Sequence, residues 1–160
     1  MAIKVGEKIP AVKLKAATGG GIEDVNTGEL FAGKKAVLFA VPGAFTPTCS
    51  ARHLPGFIAK AGELRAKGVD AVVCVAVNDA FLMEAWGRDR GAGSDVVLLA
   101  DGNGAFTEAI GLTMDASAYG MGRRSQRYAA ILEDGVVKDL FVEAPGKFEV
   151  SSAEAVLGRL

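Results

Sequence analysis

Short apolar runs recur along the chain, separated by stretches with helical periodicity or by turn residues. Ala36 to Val41, Ala71 to Val77 and Val96 to Ala100 are continuously apolar rather than alternating, the pattern of strands covered on both faces. Between them the spacing predicts helices over Ser50 to Lys67 and over about Asp79 to Arg88, with a short helix near Ala105 to Ile110. Pro55 and Gly56 fall inside the first long helix, so a kink or break is expected there. Tyr128 to Leu132 and Val136 to Val142 flank Glu133-Asp134-Gly135, a hairpin signal with Asp-Gly at the turn. Two short extended segments near the N-terminus are joined by Gly19-Gly20-Gly21, which reads as a turn and lacks the spacing of a phosphate-binding loop. A last helix is expected from Ser151, with Ser151 and Glu154 in the spacing of a capping box. Strands alternating with helices, then a hairpin and a closing helix, give an α/β fold with a mixed central sheet. No repeat, low-complexity tract or linker divides residues 1–160, so one domain is expected.

Composition narrows the function classes. Half of the 160 residues are hydrophobic, enough for a sizeable core, and 18 Lys plus Arg stand against 19 Asp plus Glu. With a net charge of −1 there is no basic surplus to suggest nucleic acid or an anionic membrane as partner. The apolar runs are far shorter than the roughly 20 residues needed to span a bilayer, so a soluble chain is expected. Cys49 and Cys74 are too few for a disulfide scaffold and too far apart for a CxxC redox pair. The N-terminal residues lack the plan of a signal peptide, and a reducing intracellular compartment is the natural setting.

The chemistry centres on Cys49. It closes the run Pro42-Gly-Ala-Phe-Thr46-Pro47-Thr48-Cys49, which follows an apolar strand and opens a helix. A thiol in a first helical turn faces unpaired backbone N–H groups and the positive end of the dipole, both of which favour thiolate. At the reference pKa near 8.5 only about 3% of a thiol is ionised at pH 7, and making thiolate dominant takes about 3–4 kcal/mol of differential stabilisation. A helix terminus supplies about 1 kcal/mol or less, so a nearby cation is required. Arg52, in the same helix turn, and Arg123, Arg124 and Arg127, clustered before a strand, are the candidates; Arg127 directly precedes the buried run Tyr128 to Leu132, so its head could project from the sheet end. Thr46 can cap the helix or aim its hydroxyl at the sulfur or at a substrate oxygen. Pro42 shapes the loop and removes a backbone donor near the thiol. Cys74, within an apolar strand, reads as a buried structural thiol. His53, four residues after Cys49, leaves open a Cys–His dyad of the hydrolase kind, although no Asn or Asp to orient it is evident. One His and two distant Cys make a metal site unconvincing.

Pro42 to Cys49 matches the Pro-x-x-x-Thr/Ser-x-x-Cys signature of peroxiredoxins. The longer Val41 to Ser50 run with His53-Leu-Pro-Gly-Phe57 resembles the peroxiredoxin 5 (type II, atypical) subfamily. Val77-Asn-Asp-Ala-Phe81, Leu99-Ala-Asp-Gly102, Arg123 to Tyr128 and Val150-Ser-Ser-Ala-Glu154 extend the resemblance over nearly the whole chain. Phe39-Ala-Val-Pro42, Met83-Glu-Ala-Trp86 and Asp101-Gly-Asn-Gly104 look most like its plant and algal branch. The resemblance implies a thioredoxin-like fold and an antioxidant peroxidase that reduces hydrogen peroxide and alkyl hydroperoxides without metal or haem. Cys49 then corresponds to the peroxidatic cysteine, Thr46 and Pro42 to the pocket residues and Arg127 to the active-site arginine. A non-covalent homodimer is implied, with glutaredoxin and glutathione, or thioredoxin, as reductant. Cytoplasm, or plastid stroma or mitochondrial matrix for a processed form, would be its location. The animal branch carries a resolving cysteine where this chain has Val150-Ser151-Ser152. Cys74 corresponds to the second cysteine of the plant-type branch and is a possible resolving residue, but direct resolution by an external thiol is the favoured expectation.

Overall fold

The computed structural model describes residues 2–160. An antiparallel hairpin opens the chain, β1 (Lys13–Ala17) and β2 (Ile22–Asn26), closed by the glycine turn read from the sequence. A short helix α1 (Thr27–Leu30) leads to β3 (Lys35–Ala40). Next come α2 (Leu54–Ala66), β4 (Ala71–Ala76), α3 (Ala80–Arg90), β5 (Val97–Ala100) and α4 (Ala105–Ile110). A small ribbon of β6 (Thr113–Asp115) and β7 (Arg123–Ser125) follows, then the hairpin β8 (Tyr128–Glu133) and β9 (Val136–Val142), and finally α5 (Ala153–Leu157). Seven strands form one sheet in the order β2-β1-β5-β4-β3-β8-β9. The central β3, β4 and β5 are parallel and their flanks antiparallel, a mixed α/β sheet of the thioredoxin-like kind.

Each central strand is apolar throughout because both of its faces are covered. Val37, Phe39, Cys74 and Leu98 face one side, packed with Leu54, Phe57 and Leu64 of α2, Met83 and Trp86 of α3, and Val156 of α5. Leu38, Val73, Val75 and Leu99, the alternate positions, face the other side and meet Phe31, Phe106, Ile110 and Tyr128. In the β8–β9 turn Asp134 and Gly135 both have positive φ, 51° and 76°, the conformation that suits strand twist in a two-residue hairpin and that Asp-Gly favours.

The structure departs from the expected pattern in three places. The helix predicted over Ser50 to Lys67 begins as a π-helical turn, Cys49–His53, in which the Leu54 N–H reaches back five residues to the Cys49 carbonyl. Pro55 lies in the first turn of α2 and has no N–H to offer the Ala51 carbonyl, so the expected break takes the form of a wider turn carrying Cys49. The last helix is capped by Ser152, whose hydroxyl accepts the Ala155 N–H at 3.1 Å, not by Ser151. Ser151 instead donates its hydroxyl to the buried Glu143 carboxylate at 2.7 Å. The β6–β7 ribbon, only three residues a side, left no periodicity to read.

Asp101 sits at the end of β5 with no exposed surface and caps α4 from below. Its carboxylate accepts the Phe106 N–H at 3.1 Å, the Thr107 N–H at 2.8 Å and the Thr107 hydroxyl at 2.7 Å. Asp101→Ala leaves those buried donors unpaired and is expected to cost about 2–4 kcal/mol of stability, with Asp101→Asn costing less, measured by denaturant unfolding. A loss below about 0.5 kcal/mol in Asp101→Ala would contradict this accounting.

Candidate active site

The site is built where β3 ends. Pro42 to Thr46 form a tight loop in which Phe45 is held at φ 64°, a left-handed backbone uncommon outside glycine. The loop is tied down by Ala44 N–H donating to the Asn78 side chain at 2.9 Å. The Thr46 hydroxyl donates to the Gly43 carbonyl at 2.6 Å, so it does not cap the following helix. Its backbone carbonyl does that job, accepting the Ser50 N–H at 2.9 Å. Pro47 and Thr48 are already helical, which puts Cys49 within the first turn as expected. Trp86, the only tryptophan and fully buried, donates its indole N–H to the Ser50 hydroxyl at 2.8 Å and pins the turn from the α3 side.

Arg127 completes the arrangement from the first position before β8. One guanidinium nitrogen donates to Cys49 Sγ at 3.1 Å and the other to His53 Nδ1 at 2.8 Å. A guanidinium can only donate, so Nδ1 accepts; His53 Nε2 then carries the proton and donates it to the Ser151 carbonyl at 2.8 Å. Burial lowers the pKa of His53 to about 3, helped by the Arg127 charge and opposed by the Ser151 carbonyl and Glu143. The imidazole is therefore neutral with its lone pair occupied. That rules out the Cys–His dyad as an arrangement: His53 is four residues from Cys49 but serves Arg127, not the thiol.

Behind Ser151 lies Glu143, just past β9. Its carboxylate accepts the N–H groups of Glu149, Val150 and Ser151 at 2.8–2.9 Å and the Ser151 hydroxyl. Burial pushes its pKa up, but these donors outweigh that and hold it below the ordinary carboxylate value. Glu143 also donates its own N–H to the Arg127 carbonyl at 2.9 Å. Glu143 and Phe148 had no signal in the sequence, and Ser151 was read there only as a helix cap, since the role of each here is defined by partners distant along the chain. Phe148 lies 4.9 Å from the His53 ring, with the Arg52 and Arg127 guanidiniums at 4.7 and 5.7 Å from its centre.

The other arginines are otherwise engaged. Arg123 pairs with Glu108 at 3.2 Å, and Arg124 donates to the carbonyls of Met121 and Pro42 at 2.9 and 3.5 Å. Pro42, Thr46 and Arg127 line one cavity of about 640 Å³. Cys74 sits in mid-strand opposite Phe39 with no exposed surface. Burial, and to a smaller extent the neighbouring Cys49, push its thiol well above the usual range, so it stays protonated. Among the described residues, no three of His, Cys, Asp and Glu are grouped to hold a metal ion, and no helix is long and apolar enough to cross a membrane.

The Redoxin family matches residues 4–157. The chain is 56% identical to Peroxiredoxin-2E-2, chloroplastic, of Oryza sativa subsp. japonica, over 99% of this chain and 72% of the relative. It superposes on reduced Prx3 of Vibrio vulnificus in complex with hydrogen peroxide with a TM-score of 0.93 and 54% identity, covering 98% of both chains. Peroxiredoxin 5 of Alvinella pompejana gives a TM-score of 0.83 at 31% identity, covering 97% of this chain and 96% of that one.

His53 is the only histidine, so its titration is directly observable. Its ring resonances are expected to stay flat by NMR from pH 7.5 to 5, because its pKa lies near 3. Below 6.5 the unfolded chain binds a proton that the folded chain refuses, so stability falls with pH through this interval, by at most about 1.4 kcal/mol per pH unit. His53→Gln should lose that slope between pH 6.5 and 5. A ring that titrates with a midpoint near 6.5 would contradict the assignment.

Proposed function

The chain belongs to the peroxiredoxins of the Redoxin family, and on that premise we propose that Cys49 is its peroxidatic cysteine, activated by Arg127. Family membership makes the chain a thiol peroxidase. The assignment of residues rests on one observation, the 3.1 Å hydrogen bond from Arg127 to Cys49 Sγ. A hydrogen bond involving a charged group contributes about 1.5–3 kcal/mol, more than the helix terminus alone.

Cys49 thiolate attacks the nearer oxygen of a hydroperoxide in line with the O–O bond. The S–O bond forms, the O–O bond breaks, and the departing oxygen takes a proton to leave as water or alcohol, with Cys49 left as sulfenic acid. Negative charge grows on both oxygens during the step. Arg127 and the backbone N–H groups of the first helical turn face that charge. Thr46 has its proton engaged by Gly43, so its oxygen is left to accept the hydroperoxide O–H and orient it. Pro42 contributes a wall with no competing N–H. A low thiol pKa by itself lowers nucleophilicity, so holding the peroxide in position must supply much of the acceleration.

Hydrogen peroxide and alkyl hydroperoxides are the proposed substrates. Regeneration is proposed to run through an external thiol, glutathione with glutaredoxin or thioredoxin, which condenses with the sulfenic acid to release water and is then reduced in turn. Support comes from Cys74, which is protonated, enclosed and hydrogen-bonded into the sheet centre between β3 and β5. A Cys49–Cys74 disulfide would have to form inside the closed core, since neither cysteine has exposed surface. A reducing compartment fits that cycle; the rice relative is named as chloroplastic. A non-covalent homodimer is proposed through exposed aromatics, Phe45 in the loop before Cys49 and Tyr119 on the rim of the cavity, which leave apolar surface to be covered.

Cys49→Ser should abolish peroxidase turnover, and Arg127→Ala should lower the rate of peroxide reduction by about 10²-fold or more. An Arg127→Ala rate equal to wild type would remove the role given to that side chain. In a glutaredoxin-coupled assay Cys74→Ser should keep most of its activity, and mass spectrometry should find glutathione on Cys49. Near-complete loss in Cys74→Ser would instead make Cys74 the resolving residue.

A further inference from the structure

Arg127 is held at both of its ends by one residue. Its backbone carbonyl accepts the Glu143 N–H at 2.9 Å. Its side chain is reached by a longer route that ends at the same Glu143. The guanidinium donates to His53 Nδ1 at 2.8 Å, and His53 Nε2–H donates to the Ser151 carbonyl at 2.8 Å. Ser151 in turn gives its N–H and its hydroxyl to the Glu143 carboxylate, at 2.8 and 2.7 Å. The contacts close into a circuit that starts and ends on Arg127. The other terminal guanidinium nitrogen stands outside this circuit and donates to Cys49 Sγ at 3.1 Å. Glu143 is 6% exposed and also gathers the N–H groups of Glu149 and Val150. The segment it closes carries Phe148, whose ring packs 4.9 Å from that of His53.

A carboxylate so placed has a plain structural use, tying down residues 149–151 ahead of α5. The closed circuit gives it a second one. We propose that Glu143 is a positioning residue for peroxide reduction, setting the Arg127 guanidinium against Cys49 by way of Ser151 and His53. This inference rests on the peroxidase reading above. What travels along the circuit is position, not charge. The Ser151 N–H and the Ser151 carbonyl belong to different peptide units, so the carboxylate fixes where that carbonyl lies without polarising it directly. Its own field works the other way, because a second negative charge disfavours the thiolate. Glu143 therefore serves Cys49 through geometry alone, and the two effects have opposite signs. Cys74, the other thiol beside Cys49, stays protonated and adds no charge. With His53 untethered, Arg127 regains the torsional freedom of a long side chain and spends less time on the sulfur.

Two variants separate position from charge. Glu143→Asp keeps the charge and withdraws the carboxylate by one methylene, whereas Glu143→Ala removes both. Cys49 is followed in each by stopped-flow oxidation with hydrogen peroxide and by the pH midpoint of its alkylation with iodoacetamide. Both variants are expected to react with peroxide about tenfold or more slowly than wild type. Their alkylation midpoint should move up by about half a pH unit or more. His53→Phe keeps an aromatic ring among Phe39, Phe57 and Phe148 but cuts the circuit. In that background Glu143→Asp is expected to change the rate by less than about twofold. An unmoved midpoint or an unmoved rate in Glu143→Asp would reduce Glu143 to a loop tie and overturn the proposal. So would a midpoint that falls in Glu143→Ala, the mark of the carboxylate's field acting alone, or a full loss that persists without His53. Glu143→Asp carries the test by itself where Glu143→Ala fails to fold. A wild-type Cys49 that hydrogen peroxide does not oxidise would strike the peroxidase reading instead, so the two failures are distinct.

Discussion

One guanidinium holds the site together. Arg127 donates in two directions at once, to the sulfur of Cys49 and to the ring of His53, and its rigid planar fork makes the two bonds interdependent. A lysine in its place would offer a single mobile charge. The half-buried setting matters as much as the charge, because an ion pair or charged hydrogen bond shielded from water is weakened less by solvent than one at the surface.

That position is secured from behind by a chain of polar contacts that starts at a carboxylate. Glu143 gathers the backbone of residues 149–151, the Ser151 carbonyl fixes the His53 tautomer, and the His53 lone pair receives Arg127. Every link has one feasible direction of donation, so the network admits one proton arrangement. Its cost is a histidine that cannot take up a proton near neutrality. On the other side, Trp86 holds Ser50 and with it the π-helical turn. Wider turns of this kind are frequent at functional sites, where the added residue re-aims a side chain. Here the residue at its start is Cys49.

Much of this was legible in the chain. The parallel core strands announce themselves by being apolar at every position, and the Asp134-Gly135 turn by its chemistry. Cys49, Thr46 and Pro42 lie in one short segment, so spacing alone brings them together, whereas Arg127 was one of four candidate arginines and was singled out by the family resemblance. What could not be read were directions. Thr46 spends its proton on Gly43, Ser151 yields the cap to Ser152, and His53 turns to Arg127 instead of Cys49. Each outcome depends on a partner brought close by the tertiary fold, and Glu143 and Phe148 belong to the site only through such contacts. Propensity and periodicity describe a residue's own element and carry no record of those neighbours.

The central claim is that this cradle makes one enclosed sulfur an efficient nucleophile toward peroxide. It is tested most directly by the second-order rate constant for oxidation of Cys49 by hydrogen peroxide at neutral pH, followed by stopped-flow and set beside free cysteine in the same buffer. Positioning and electrostatic stabilisation of the kind built here should make the protein thiol react at least about 10³-fold faster. A rate constant within about tenfold of free cysteine would be no more than a modest change in thiolate fraction can give, and would contradict it.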